Sequence, residues 1–268
     1  MTVDRRTRIT LRVLALGYLA VLLLVPVGLV FYRTFEKGLG FVWDSITTPA
    51  AIHSLFLTLE VAAITVPLNA AFGMLAALAL VRGRFPGKRL LDALIDLPFA
   101  ISPVVVGLAL LLLYGRTGWF GPGLADAGIQ VVFSVPGIVI ATVFVSMPFV
   151  VREVAPVLKE IGEEQEQAAA TLGAGAWQTF WRVTLPAVRW GLAYGVVLST
   201  ARAIGEFGAV SVVSGKIAGE TETLTLLVEK RFQNFDLAGA YAASALLALI
   251  ALGTLLAMSV IGARKSEA

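Results

Sequence analysis

Two ionisable side chains stand four residues apart inside an otherwise apolar run: Arg202 and Glu206, within Trp190–Ser214. Opposite charges at that spacing share one helix face. Two chemistries fit the pair. It can neutralise itself and fix helix packing. Alternatively, Arg202 can lend positive potential to an anion path, because a planar guanidinium donates two parallel hydrogen bonds to an oxyanion; a nearby Glu206 then weakens the attraction enough for release. Ala201, Gly205 and Ala209 repeat at the same four-residue spacing, where small side chains let a neighbouring helix or subunit approach closely. Enzyme chemistry finds no support. The chain has no cysteine and a single histidine, His53. It contains no Gly-x4-Gly-Lys-Ser/Thr phosphate loop and no nucleophile beside a base. No catalytic, cofactor-binding or metal-binding residue is therefore assigned.

Long apolar elements must position these residues. Of 268 residues, 58% are hydrophobic and only 15% charged, with a mean hydropathy of +0.86. Soluble domains carry about 25% charged residues, and about 20 apolar residues in helical form cross a bilayer. Six candidate spans follow: residues 11–32, 54–81, 90–114, 131–151, 190–214 and 237–261. Their backbones must satisfy their own hydrogen bonds in lipid, so the fold class is an all-α integral membrane bundle, read as one domain over residues 1–268. The first run follows Arg5, Arg6, Arg8 and Arg12 but lacks a small-x-small cleavage site, and reads as a retained helix rather than a leader. Pro67, Gly73, Pro98, Pro103, Gly107 and Pro148 inside the spans read either as tolerated kinks or as bends lining a cavity.

Lys and Arg are unevenly divided. The amino-terminal segment, residues 82–89, residues 152–189 and the carboxyl tail together hold fourteen, against six in the alternate loops (Arg33, Lys37, Arg116, Lys216, Lys230 and Arg231). That bias predicts both termini in the cytoplasm. It also explains a pI near 9.3 without nucleic acid. On this topology His53 is an interfacial residue rather than a ligand, and Asp92 and Asp96 cap or pair near the cytoplasmic side.

The cytoplasmic stretch of residues 155–189 has its own pattern. Glu160, Glu163, Glu164 and Glu166 precede good helix formers, where carboxylates favour the helix dipole. Gly173 suits a C-cap at positive φ. A second short helix is predicted from about Ala174 to Leu185, ended by Pro186. Trp177, Phe180, Trp181 and Leu185 then share one face. That face can lie on the membrane, pack under the bundle, or dock into a partner's groove.

Here the stretch resembles the EAA loop of binding-protein-dependent ABC importer permeases: Glu-Ala-Ala, three residues, Gly, nine residues, then Ile-x-Leu-Pro. Gln167, Ala168, Ala169, Gly173, Val183, Leu185 and Pro186 stand at the matching positions. Gln167 replaces the family Glu, with Glu166 beside it, and Val183 replaces Ile. The segment from Ala201 to Val210 (Ala-Arg-Ala-Ile-Gly-Glu-Phe-Gly-Ala-Val) resembles sulfate and molybdate permeases, most closely the W-type sulfate subunits. So do residues 97–107, 177–186, 211–215 and 219–221. The resemblance runs from the second span to the end.

It implies a type I importer-like bundle in a bacterial inner membrane. Glu166, Gln167, Ala168, Ala169, Gly173, Trp177, Phe180, Trp181, Leu185 and Pro186 would form the surface that couples to an ATPase. Implied partners are a T-type second permease, two ATPase subunits that bind ATP and magnesium, and an external sulfate-binding protein. The implied cargo is sulfate or thiosulfate; a molybdate or tungstate permease of the same fold is the alternative. An ion-coupled secondary transporter is disfavoured, since it would need inverted repeats that the sequence does not show.

Overall fold

A computed structural model describes residues 5–267. Arg5, Arg6, Arg8, Arg264 and Lys265, which enter the charge bias, have side chains outside the described residues. Among the described residues there are helices and turns and no strand. The order is α1 (Arg5–Phe35), α2 (Leu39–Ile46), α3 (Pro49–Arg82), α4 (Lys88–Ala100), α5 (Pro103–Tyr114), α6 (Gly121–Asp126), α7 (Val135–Ile161), α8 (Glu164–Thr171) and α9 (Ala176–Thr179). A π-helical turn, Phe180–Thr184, then leads into α10 (Leu185–Ile204), α11 (Val210–Val213), α12 (Leu224–Gln233) and α13 (Leu237–Glu267).

Among the described residues, four segments are long and apolar enough to cross a membrane by themselves: Thr10–Phe35 of α1, α3, α7 and Leu237–Thr254 of α13. The six expected spans are not six unbroken helices. The third, residues 90–114, is the pair α4–α5, bent by 112°. The break precedes Pro103, whose ring disfavours helical conformation at Ser102, and Ile101 and Ser102 are extended. The fifth, residues 190–214, is broken: α10 ends at Ile204 with Gly205 as its C-cap, and the short α11 starts only at Val210. Glycine lowers helix propensity there. The fourth, residues 131–151, is shifted: α7 starts at Val135 and runs on to Ile161. Just past the apolar run, Arg152 pairs with Asp92 and Asp96 of α4. Pro67, Pro148 and Pro156 sit inside α3 and α7 without ending them.

The core is the triple α3–α7–α10. Val150, Val151, Val154 and Leu158 of α7 pack with Met74, Ala77 and Leu80 of α3 and Val188 of α10. Small residues permit the approach. A Cβ at Gly73 would lie 2.6 Å from the Val150 side chain, and one at Gly195 would lie 2.9 Å from Val150 Cα. One buried polar tie crosses all three helices: Asn69 Nδ2 donates to Ser146 Oγ at 2.7 Å and to Ser199 Oγ at 3.2 Å. Hydrogen bonds of this kind pin the rotation of apolar helices that greasy contacts alone leave free. By contrast, the most apolar part of α1 is unburied, and the helix packs chiefly on α13, where the buried Thr34 Oγ1 donates to the Tyr241 carbonyl at 3.0 Å.

Candidate functional site: a clamped loop and a pair of broken helices

The loop between α7 and α10 is built in two halves around Gly173. Helix α8 carries Glu164 and Glu166 in its first turn. It ends in a reciprocal turn: Gly173 N–H donates to the Ala170 carbonyl and Ala174 N–H to the Ala169 carbonyl, each at 3.0 Å. Gly173 has φ of +87°, the left-handed conformation the sequence pattern demands of it.

The second half differs from expectation. The helix expected to stop at Pro186 instead runs from α9 through the π turn into α10, with Pro186 in the first turn of α10. Proline has no N–H, so a first turn tolerates it, and Leu185 N–H reaches back five residues to the Phe180 carbonyl. The expected apolar face is also divided. Phe180 and Leu185 pack against the α3–α7–α10 core. Trp177 and Trp181 are 73% and 51% exposed; Trp177 stacks on Phe180 at 6.1 Å, and Trp181 meets both rings edge-on at 5.4–5.5 Å. The result is an aromatic knob projecting from a buried root, with Leu172 exposed nearby.

Glu166 fastens this loop to the bundle. One carboxylate oxygen accepts from Arg82 Nε at 2.9 Å, and the other accepts from Thr184 Oγ1 at 2.8 Å. Arg82, the last residue of α3, also donates to the carbonyls of Leu158 and Gly162 at the end of α7. A single guanidinium–carboxylate pair thus joins α3, α7, α8 and the π turn. Gln167, which occupies the position of the family Glu, is exposed and reaches only Glu163, at 3.4 Å. Ala168 is exposed and Ala169 half-buried.

The Arg202–Glu206 pair lies where two broken helices meet. Arg202 is in the last turn of α10, and Glu206 is beyond its end, so the two do not share the helix face that their spacing predicts. They still touch, with Arg202 Nη1 2.6 Å from Glu206 Oε2. The other carboxylate oxygen accepts from Ala209 N–H at 2.8 Å, which closes the turn into α11. The Glu206 side chain is 2% exposed and that of Arg202 is 28% exposed. Thr225 of α12 donates to the Glu206 carbonyl at 2.8 Å.

The expected small-residue stripe is dispersed by the same break. Ala209 is fully buried beside Val106 and Val213 of the neighbouring elements, Ala201 is half-buried and Gly205 is exposed. The close approach that does occur is between breaks. A Cβ on Gly107 of α5 would lie 2.7 Å from the Ala209 carbonyl oxygen, and one on Gly208 would lie 2.8 Å from Pro103 Cβ. Irregular backbone at membrane depth is tolerated only inside protein or along a cavity. Here each break shields the other.

Comparison with known proteins decides the family. The family described as "Binding-protein-dependent transport system inner membrane component" matches residues 69–265. The chain belongs to this family. A sulfate transport system permease protein CysW from Synechocystis sp. is 52% identical over 251 residues, covering 94% of this chain and 91% of that protein. A sulfate transport system permease protein CysT from Escherichia coli K12 is 42% identical over 247 residues, covering 90% and 89%. A solved bacterial alginate ABC transporter, in complex with an alginate pentasaccharide-bound periplasmic protein, has a chain that superposes with a TM-score of 0.78. That chain is 18% identical, with 97% and 96% of the two chains covered, and it attests the fold alone. The expected fold class and CysW-like resemblance are borne out: the chain is a multi-pass membrane permease component that works with a binding protein, and not an enzyme.

Several residues of this permease component escaped sequence reasoning. Arg82 reads from sequence only as one more cytoplasmic basic residue; its partner Glu166 is 84 residues away. Glu222 is fully buried with Lys230 Nζ at 2.9 Å, under α12. Leu224 N–H beside it donates to Thr58 Oγ1 at 2.9 Å, which seats α12 against α3. The only hint was the polar stretch Gly219–Thr223 ahead of an apolar pattern. Asp92 and Asp96 do pair, both with Arg152. His53 is half-buried, and no cluster able to hold a metal ion occurs among the described residues.

Proposed function

We propose that this chain is the W-type permease subunit of an ATP-driven sulfate importer. The observation that carries the reading is the graded likeness: 52% identity to a CysW protein over 94% of the chain, against 42% to a CysT protein over a similar length. A T-type chain then completes the pathway as a heterodimer, two ATPase subunits bind ATP and magnesium, and an external binding protein delivers the anion. Both termini lie in the cytoplasm. The exposed Trp177–Trp181 knob meets the ATPase, and the Glu166–Arg82 clamp passes its displacement to α3 and α7 together. A rigid linkage of packed helix ends is the physical requirement for coupling over distance.

The test is uptake of labelled sulfate by vesicles containing the four-component complex with ATP inside. Sulfate uptake that depends on this chain is expected. Uptake of molybdate with none of sulfate would overturn the reading. Orientation is checked separately with a reporter active only outside the cytoplasm: it should work when fused after Gln130 and be silent after Glu163.

A further inference from the structure

At the end of the bundle that carries the Arg82 clamp, α3, the 83–87 turn, α4 and α7 enclose a cleft of about 610 Å³. Four cations line it. Lys88 and Arg89 come from the first turn of α4; Arg152 and Lys159 stand two turns apart on α7, so they share a face. The one carboxylate in the lining, Asp92, is already committed. Arg152 holds it at 2.8 Å and also takes Asp96 through Nε at 2.7 Å. Lys88, Arg89 and Lys159 have no ion-pair partner among the described residues. Lys88 Nζ is steadied across the turn by the Gly83 carbonyl at 3.2 Å. Helix α4 starts here with Gly87 at its N-cap, no capping side chain and no acid in its first turn, so its dipole adds potential of the same sign.

The other wall is apolar, formed by Leu80, Val81, Phe85 and Ala155, with Phe85 39% exposed. A small inorganic oxyanion would need the cations but not this wall. An amphiphile needs both, and basic pockets between helix ends at a membrane surface suit anionic headgroups. We propose that this cleft is a binding site for an anionic phospholipid, with Lys88, Arg89 and Lys159 holding the phosphate and the start of an acyl chain lying on Leu80, Val81 and Phe85. The inference requires only that the bundle sits in a membrane, and it does not depend on the transported substrate.

The test is native mass spectrometry of the whole importer, delipidated and then titrated with phosphatidylglycerol or phosphatidylcholine. The wild-type complex should retain phosphatidylglycerol in preference to phosphatidylcholine. The triple variant Lys88→Gln, Arg89→Gln, Lys159→Gln should retain it at least about tenfold less well, while Lys159→Arg should behave as wild type. Equal retention of the two lipids by the wild type would overturn the proposal even if the triple variant failed to assemble. So would undiminished retention by an assembled triple variant. Displacement of the bound lipid by inorganic sulfate or phosphate at concentrations that leave bulk lipid unaffected would reassign the cleft to a free oxyanion. None of these readouts measures sulfate transport, so failure here leaves the proposed function untouched.

Discussion

Two arginine–glutamate pairs in this protein are chemically alike and structurally opposite. Arg82 and Glu166 are 84 residues apart, with side chains 18% and 23% exposed, and between them they hold four separate elements. Arg202 and Glu206 are neighbours in the chain, and they close one turn around a carboxylate that is 2% exposed. The first pair ties the loop of α8 and the π turn to the packed ends of α3 and α7; the second is a local patch on a break in the membrane core. Removing a tie lets the joined parts move independently. Removing half of a buried patch leaves a bare charge in low dielectric, and the fold itself suffers.

The largest effect should therefore come from splitting the buried pair. Arg202→Gln leaves Glu206 without its countercharge and should destabilise the subunit by about 3–5 kcal/mol, seen as loss of assembled permease from the membrane. Arg202→Gln combined with Glu206→Gln should restore assembly, because no unpaired charge remains. Labelled-sulfate uptake by the double variant, normalised to assembled complex, then separates the two roles. Near-normal uptake ends the anion-path reading and leaves a structural ion pair; poor uptake by a well-assembled complex supports it.

The clamp should respond differently. Glu166→Gln keeps an acceptor for Thr184 but loses the charge-assisted bond from Arg82 Nε, worth about 1.5–3 kcal/mol for a hydrogen bond to a charged group. The subunit should still assemble, while ATP hydrolysis proceeds with reduced sulfate uptake per ATP. A drop in assembly as large as that of Arg202→Gln would erase the contrast between the two pairs. Gly173→Val tests the turn inside the same loop. A Cβ there meets nothing within 4 Å, so the cost is backbone strain alone, about 1–2 kcal/mol. Binding-protein-stimulated ATP hydrolysis should fall with the permease still in the membrane, and unchanged stimulation would remove Gly173 from the coupling path.

The smallest change in the fold is expected from Trp177→Ala. That ring is 73% exposed, so thermal stability of the permease should shift by no more than about 0.5 kcal/mol. Its effect should appear instead as weaker co-purification of the ATPase. A large loss of stability with normal ATPase binding would mean that the knob belongs to the subunit core.

The contrast also shows what was legible beforehand. The Gly173 turn was readable because it is local: helix formers, a glycine and six residues decide it. The clamp was not, since α3 ends at Arg82 and nothing in its neighbourhood points to Glu166. The divided fate of Phe180 and Trp181 was equally hidden. A helical wheel places them on one face, but the π turn and the nearby core of α7 decide which ring is covered. Gly107 and Gly208 read as ordinary small residues until the two breaks are seen to press against each other.

The amino-acid sequence by itself determined that this chain lives in a membrane, that it is helical, and where the sharp turn at Gly173 falls. Those properties depend on partition of apolar runs and on backbone preferences, both set by residues close together in the chain. Tertiary structure decided that two of the six expected spans are interrupted, that Glu166 carries the loop's contact to the bundle, and that Glu206 lies beyond the end of the helix whose last turn holds Arg202. Each of these depends on which helices come to lie side by side, and in an apolar bundle that choice rests on a few small residues and polar ties far apart in sequence.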